Sequence, residues 1–411
     1  MKDSTSKAAN QVKPRYQSAV IVGMVLLAVG LSAACTQYKA STLLVTIAPR
    51  FSLDADGSAW IMSIFTLVGI FFALPAGGLA QRFGFKRVML ASSCLIIIGS
   101  IIGMLSGESG PVLIASRAIE GISLTFITTC GPIAIQQCVD PKKTALASGI
   151  WGCWGNGGAV IASILTPHIF GIAGFEGVWL AFAIIAALAA LLLLFCIKSP
   201  RKTLAEARVR SEKDEMLAEP SRYRDLLTPN VALFLIGFLA FNLIMLAILG
   251  MLPSVLQLPE KGFSIGESGF ATTLPSLISL VSTPLVGAIA GRTGHVKPLL
   301  IVTMAVLGPC VFVMYTQTGL SFWAAAVLLG ILGLACIGLL IAGWLEVIPN
   351  PTLVAKGMGV LTLVQCVGQF LGTFFIQLLL GSDLSQWMTA GIALGVIGIL
   401  GTIVMGFVKF K

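Results

Sequence analysis

Three charged residues stand inside stretches too apolar to suit them. Lys39, Arg117 and Glu120 each interrupt a long run of hydrophobic side chains. An ionisable group in hydrocarbon costs several kcal/mol, so each marks a candidate functional position. Arg117 and Glu120 are three residues apart and share a helix face. At about 1.5 Å per residue, Lys39 falls about 12 Å, Arg117 about 9 Å and Glu120 about 14 Å below the outer ends of their predicted helices. The three can therefore meet at one depth, and their sum is one excess positive charge. Such a cluster suits an anion, because a carboxylate neutralises it and lowers its desolvation cost. Glu120 is also the acid expected to carry a coupled proton. Each residue has a plainer alternative: Lys39 snorkelling to the interface, and Arg117 pairing with Glu120 only to hold its helix.

Uncharged polar and aromatic residues form a second set. Trp151 and Trp154 fall mid-helix, where an interfacial aromatic belt does not place them. Gln365 and Gln369 lie four apart on one helix face, and Asn156 and Asn242 stand alone in apolar runs. All six are candidates to line a binding cavity. Packing of the bundle, or hydrogen bonds between helices, is the alternative for each.

Other chemistries find no support. Gly107-Glu108-Ser109-Gly110 matches the Gly-x-Ser-Gly of intramembrane serine proteases, but Ser109 falls in a predicted outer loop. Of the two histidines, His295 is in a loop on the opposite side, and only His168 lies near that end. No phosphate-binding glycine loop is present, and no catalytic residue or cofactor is expected. Asp54 and Asp56 before Gly57 are too few oxygen ligands for a calcium loop. The nine cysteines are scattered through apolar segments with no CxxC pair, so neither disulfides nor a metal site is expected. A net charge of +9 without a basic stripe of interleaved aromatics excludes nucleic acid.

The elements that must hold these residues follow from composition. Of 411 residues, 57% are hydrophobic and 10% charged, against about 25% charged in a soluble domain. Such a chain is expected to be an all-α multi-pass membrane protein with lipid as its surrounding partner. Twelve apolar runs suffice to span a bilayer. They lie near 18–47, 58–80, 88–105, 111–138, 144–169 and 177–197, then 230–255, 265–290, 299–317, 321–345, 354–380 and 384–407. Of the 26 Lys and Arg, 22 fall on the side carrying the N-terminus. The positive-inside rule then puts both termini in the cytoplasm, with the plasma (cell inner) membrane as the expected location. Ser32-Ala33-Ala34-Cys35 loosely resembles a lipoprotein cleavage site, but cleavage there would delete most of the first span.

The two halves repeat at one offset of 210 residues: Gly77 with Gly287, Arg82 and Gly84 with Arg292 and Gly294, Pro141 with Pro351, Gly149 with Gly359, Gly158 with Gly368. The organisation expected is a cytoplasmic tail (1–17), a six-helix bundle (18–197), a polar linker (198–229) with a helical piece near 221–227, a second bundle (230–407) and a short tail (408–411). Parallel repeats of this kind are the plan of a secondary transporter.

The loop between the second and third spans, Gly77-Gly78-Leu79-Ala80-Gln81-Arg82-Phe83-Gly84-Phe85-Lys86-Arg87, resembles the signature loop of the major facilitator superfamily, degenerately repeated at Gly287 to Lys297. Gln81 stands where that family usually has aspartate. Its cations can bond helix C-terminal carbonyls, and its glycines let helix ends approach. Arg117 with Gly121 resembles the family's Arg-x-x-x-Gly element, and the fifth span carries Gly149, Gly152, Gly155, Gly157 and Gly158. The resemblance implies a monomer of two pseudo-symmetric six-helix bundles whose first and fourth helices line a central cavity. It also implies gating through Gly78, Arg82, Gly84, Arg87, Arg292 and Gly294. Within the family, Arg117 to Gly121 and Gly149 to Gly152 look most like cyanate-type and other small-anion porters. The function this implies is proton-coupled symport of a small anion by alternating access, with a drug/proton antiporter as the alternative.

Overall fold

The computed structural model describes residues 16–410, apart from 54, 141–142, 199–222, 227, 350–353 and 382. The repeat pair Pro141 and Pro351, most of the linker and the first fifteen residues lie outside the described residues, as does the Gln81 side chain. Every named element among the described residues is helical.

Among the described residues, eleven helices are long and apolar enough to cross a membrane. One of them, Leu146–Cys196, has 51 residues, about 75 Å of helix and more than twice a hydrocarbon core of about 30 Å. It divides at Gly174, whose φ of 66° and ψ of −163° belong to a region open only to glycine. Twelve spanning segments result: α1 (Ala19–Tyr38), α2 (Ala55–Phe83), α3 (Phe85–Met104), α4 (Gly110–Cys138), α5 (144–173, interrupted at Cys153) and α6 (175–196), then α7 (Pro229–Leu256), α8 (Ile265–Thr293), α9 (Val296–Thr316), α10 (320–347), α11 (Val354–Leu380) and α12 (Trp387–Phe407).

The first span is shorter than its apolar run. The sequence predicts helix from 18 to 47, whereas α1 stops at Tyr38, turns through 39–43 and resumes as the short helix Leu44–Arg50. The cause is local competition for carbonyls. In a continuing helix the Thr36 and Gln37 carbonyls would accept from residues 40 and 41. The Arg117 guanidinium takes both instead, at 2.7 and 2.9 Å.

The halves are closed by matching ties at the end where the linker leaves, here called the linker end. Before α1, Gln17 exchanges two hydrogen bonds with the backbone of Lys198, beyond α6. In the first turn of α7, Asn230 does the same with Lys409, beyond α12. Lys86 donates to the Leu194 and Ile197 carbonyls at the end of α6, and Lys297 to the Val408 carbonyl at the end of α12. The signature-loop lysines thus cap helix C-termini, where cations are favoured. At the opposite, far end, Lys261 donates to the Tyr315 and Thr316 carbonyls and sits 3.8 Å from the centre of the Trp387 ring.

Two helices of the second half widen into π-turns, at Ala247–Met251 in α7 and Leu329–Gly333 in α10. Each passes a carbonyl to a neighbouring side chain: Tyr315 donates its hydroxyl to Ala247 and Ser282 to Gly330, both at 2.7 Å. The halves meet along two pairs of helices, α2 against α11 and α5 against α8.

Candidate functional site

The three charges do come together. Lys39, at the end of α1, places Nζ 2.6 Å from Glu120 Oε1 and 3.0 Å from Ser100 Oγ. Arg117 places Nη1 2.6 Å from Glu120 Oε2, and Ser100 donates to Glu120 Oε1 at 2.6 Å. The remaining guanidinium bonds run to the carbonyls of Thr36, Gln37 and Ile61. Aromatic faces close the two cations off: Phe65 lies 4.7 Å from the Arg117 guanidinium, and Trp179 4.6 Å from the Lys39 ammonium.

All three side chains are 0% exposed. The cluster therefore knits α1, α2, α3 and α4 inside the first half, and both carboxylate oxygens are occupied. The expectation that Lys39 and Arg117 present a free positive charge to a ligand is not met in this conformation, because backbone carbonyls and Glu120 already take their donors.

The seam between the halves is different in chemistry. Asn156 Nδ2 on α5 donates to Ser279 Oγ on α8 at 2.7 Å, and Ser163 and Thr273 share a bond of 2.8 Å. Gln257, beyond α7, donates to the Thr42 carbonyl at 3.0 Å. Gln37 and Gln369 approach to 3.5 Å across α1 and α11. Trp60 on α2 packs on Phe370 and Phe374 of α11, with ring centres 6.4 and 5.1 Å apart. None of these groups is charged.

Some glycines along the seam are hemmed in by the other half and others are not. At mid-depth a Cβ on Gly69 would come within 2.9 Å of Cys366 Sγ, and toward the far end one on Gly269 would come within 2.9 Å of Thr42 and 3.1 Å of the Ser163 carbonyl. Toward the linker end, a Cβ on Gly77, Gly78, Gly149, Gly152, Gly155 or Gly287 would meet nothing within 4 Å. Gly149 and Gly152 precede Asn156 by seven and four residues and share its helix face. The stretch of α5 after Cys153 packs along α8 whereas 144–152 scarcely touches it, so the contact between α5 and α8 is closed as far as Asn156 and open beyond it.

The other expected residues fall variously. Trp151 is 6% exposed and fills the space over Gly30 and Gly131, so it packs the first bundle; Trp154 stacks on it, ring centres 6.1 Å apart. Asn242 turns back to donate to the Phe238 carbonyl of its own helix. Gln365 is half-buried one turn from Gln369 toward the linker end. Of the signature residues, Gly84 (φ 83°) starts α3 and Gly294 (φ 68°) ends α8, each in a backbone region that favours glycine. Arg82, Arg87 and Arg292 are exposed, with Arg82 over the Phe83 ring.

Sequence reasoning missed the hydroxyls of α8, among them Thr272, Thr273, Ser276 and Ser279, all within the seam-bearing helix. Ser276 is fully buried and its Oγ has no partner. Small hydroxyls barely alter hydropathy, so only their recurrence at helical spacing could have marked them. Among the described residues, no group of side chains is arranged to hold a metal ion, and all nine cysteines are free.

Comparison with known proteins agrees with this architecture. Over 164 residues the chain is 30% identical to the methyl viologen resistance protein SmvA of Salmonella typhimurium, covering 38% of this chain and 32% of that one. Over 197 residues it is 28% identical to the efflux pump apf11 of Gibberella fujikuroi, covering 47% and 34%. The matched stretch spans about a third of the length of these curated relatives. The fold is similar to a D-xylose-proton symporter (TM-score 0.70, 17% identity, 95% and 97% covered). It is also similar to the inward-open xylose transporter XylE of E. coli (TM-score 0.74, 15% identity, 96% and 97% covered). A model of the Major Facilitator Superfamily matches residues 25–373. With that match and this twelve-segment fold, the chain belongs to the Major Facilitator Superfamily and is a multi-pass membrane transporter, not an enzyme.

Proposed function

We propose that this transporter exports lipophilic organic compounds across the plasma membrane, with both termini in the cytoplasm. The observation that carries this reading is the separation of charge from seam. The polar groups meeting across the halves are amides and hydroxyls, while Lys39, Arg117 and Glu120 are sealed in the first bundle. A largely apolar path with a few hydrogen-bonding groups suits amphipathic organic molecules. Similarity to a methyl viologen resistance protein and an efflux pump supports the same class. Asn156, Gln365, Gln369 and Trp154 are the proposed lining residues from the sequence, joined by Ser276 and Ser279.

In this account the open glycine faces of α5 and α8 come together when the linker end closes, and the far-end contacts part. The signature residues Gly78, Arg82, Gly84, Arg87, Arg292 and Gly294 act at the moving linker end. The proton is the proposed coupling ion. Glu120 is the fully buried acid among the described residues, so a coupled proton arriving there must displace Lys39 or Arg117.

A second reading, transport of a small anion, draws on the one excess positive charge of the triad. It requires the triad to open onto the seam and exchange its carbonyl partners for the anion. Binding separates the two readings. A ligand that prefers the folded state raises its melting temperature by mass action. The purified transporter should be stabilised by ethidium and not by cyanate or benzoate. Stabilisation by the anions alone, lost in Lys39→Ala, would replace this reading with the second.

A further inference from the structure

Two side-chain hydrogen bonds join α5 to α8. Ser163 with Thr273 and Asn156 with Ser279 lie in series along α5 and α8; between them the Ser276 hydroxyl has no partner, while the Ser276 carbonyl accepts from Ser279 Oγ at 2.7 Å. Asn156 is the last residue of α5 bonded to the other half before the glycine face begins, and it is only half-buried.

We propose that the Asn156–Ser279 hydrogen bond is the innermost latch of the far-end gate. It sets the population of the far-open state and lies where the closed and open parts of the seam divide. The two helices are in contact on one side of this bond and parted on the other, so any rocking that opens the far end must break it. The bond joins two short, neutral side chains, and Ser279 keeps its donation to the Ser276 carbonyl when it breaks, so rupture frees only the Asn156 amide hydrogen and a Ser279 lone pair for water and carries no charge penalty. A neutral pair therefore makes a gate that is weakly biased and easily reversed, unlike the charged cluster that holds the first bundle. This inference rests on alternating access between the halves and is independent of which compound is carried.

The test reads exposure of the far end directly. Thr42 is 1% exposed, its hydroxyl has no partner, and it faces Gly269 across the closed seam. Thr42→Cys is nearly isosteric and reports far-end opening by its rate of reaction with a hydrophilic maleimide. The background replaces the exposed Cys94 and Cys196 and the half-buried Cys153 with serine. In the full-length detergent-purified protein, Asn156→Ala should raise the labelling rate about fivefold, the shift expected from one net hydrogen bond. Ser279→Ala should raise it equally, and the double variant no further, because both remove the same bond. Unchanged labelling in both single variants overturns the latch, as do rises that multiply in the double. If Asn156→Ala yields too little folded protein, Ser279→Ala, which removes only a hydroxyl, decides the matter alone.

Discussion

At the scale of single residues, Glu120 is the anion that makes two buried cations tolerable. Removing one member of a buried ion pair leaves an uncompensated charge and costs about 3–5 kcal/mol. Glu120→Gln should therefore lower the melting temperature of the purified protein sharply, with transport lost as a consequence. A variant that melts like the native protein and loses only its response to a pH gradient would assign Glu120 to coupling instead. The three charges were legible in the sequence because hydrocarbon makes them expensive. Their enclosure was not, since the acceptors are backbone carbonyls of Thr36, Gln37 and Ile61, which no side-chain pattern announces. Glycines give a paired prediction. A Cβ at Gly121 would lie 2.1 Å from the Phe65 carbonyl oxygen, so Gly121→Ala should cost about 1–3 kcal/mol or more through overpacking. Gly152→Leu has open space around it and should leave the melting temperature unchanged while reducing turnover, because the larger side chain obstructs closure of α5 on α8.

At the scale of elements, hydropathy located every span but the first to within a few residues and overran the end of α1 by nine, from Tyr38 to 47, and the repeat offset tied the halves together. The interruptions escaped it, because each depends on a partner from another helix: Arg117 for α1, Tyr315 for α7 and Ser282 for α10. Adding the 210-residue offset to Lys39 and Glu120 gives Leu249 and Gly330, one in each π-turn. The first half has an ionic clasp where the second has two widened turns. Widened turns weaken the helical ladder locally. Hydrogen exchange should accordingly be faster in 247–251 and 329–333 than in 117–123, and equal protection would remove the asymmetry. Tyr315→Phe tests the repair itself: it leaves the Ala247 carbonyl without its side-chain donor and should cost about 1–3 kcal/mol of stability.

For the whole molecule, two bundles meet along a seam that is shut at the far end and parted at the linker end between α5 and α8. Family membership makes this one conformation of a cycle; the charged cluster is enclosed in the first bundle, while the side chains bonded across the seam are uncharged. The sequence showed the two-bundle plan through its repeat, but it pointed to the charged residues as the ligand site, since cost in hydrocarbon does not reveal which way a side chain faces. The most direct measurement of the central claim is flux in proteoliposomes carrying a pH gradient. The account predicts saturable, gradient-dependent movement of ethidium, reduced in Gly152→Leu and unaffected by excess cyanate or benzoate. Gradient-driven uptake of those anions, with no movement of ethidium, would contradict it.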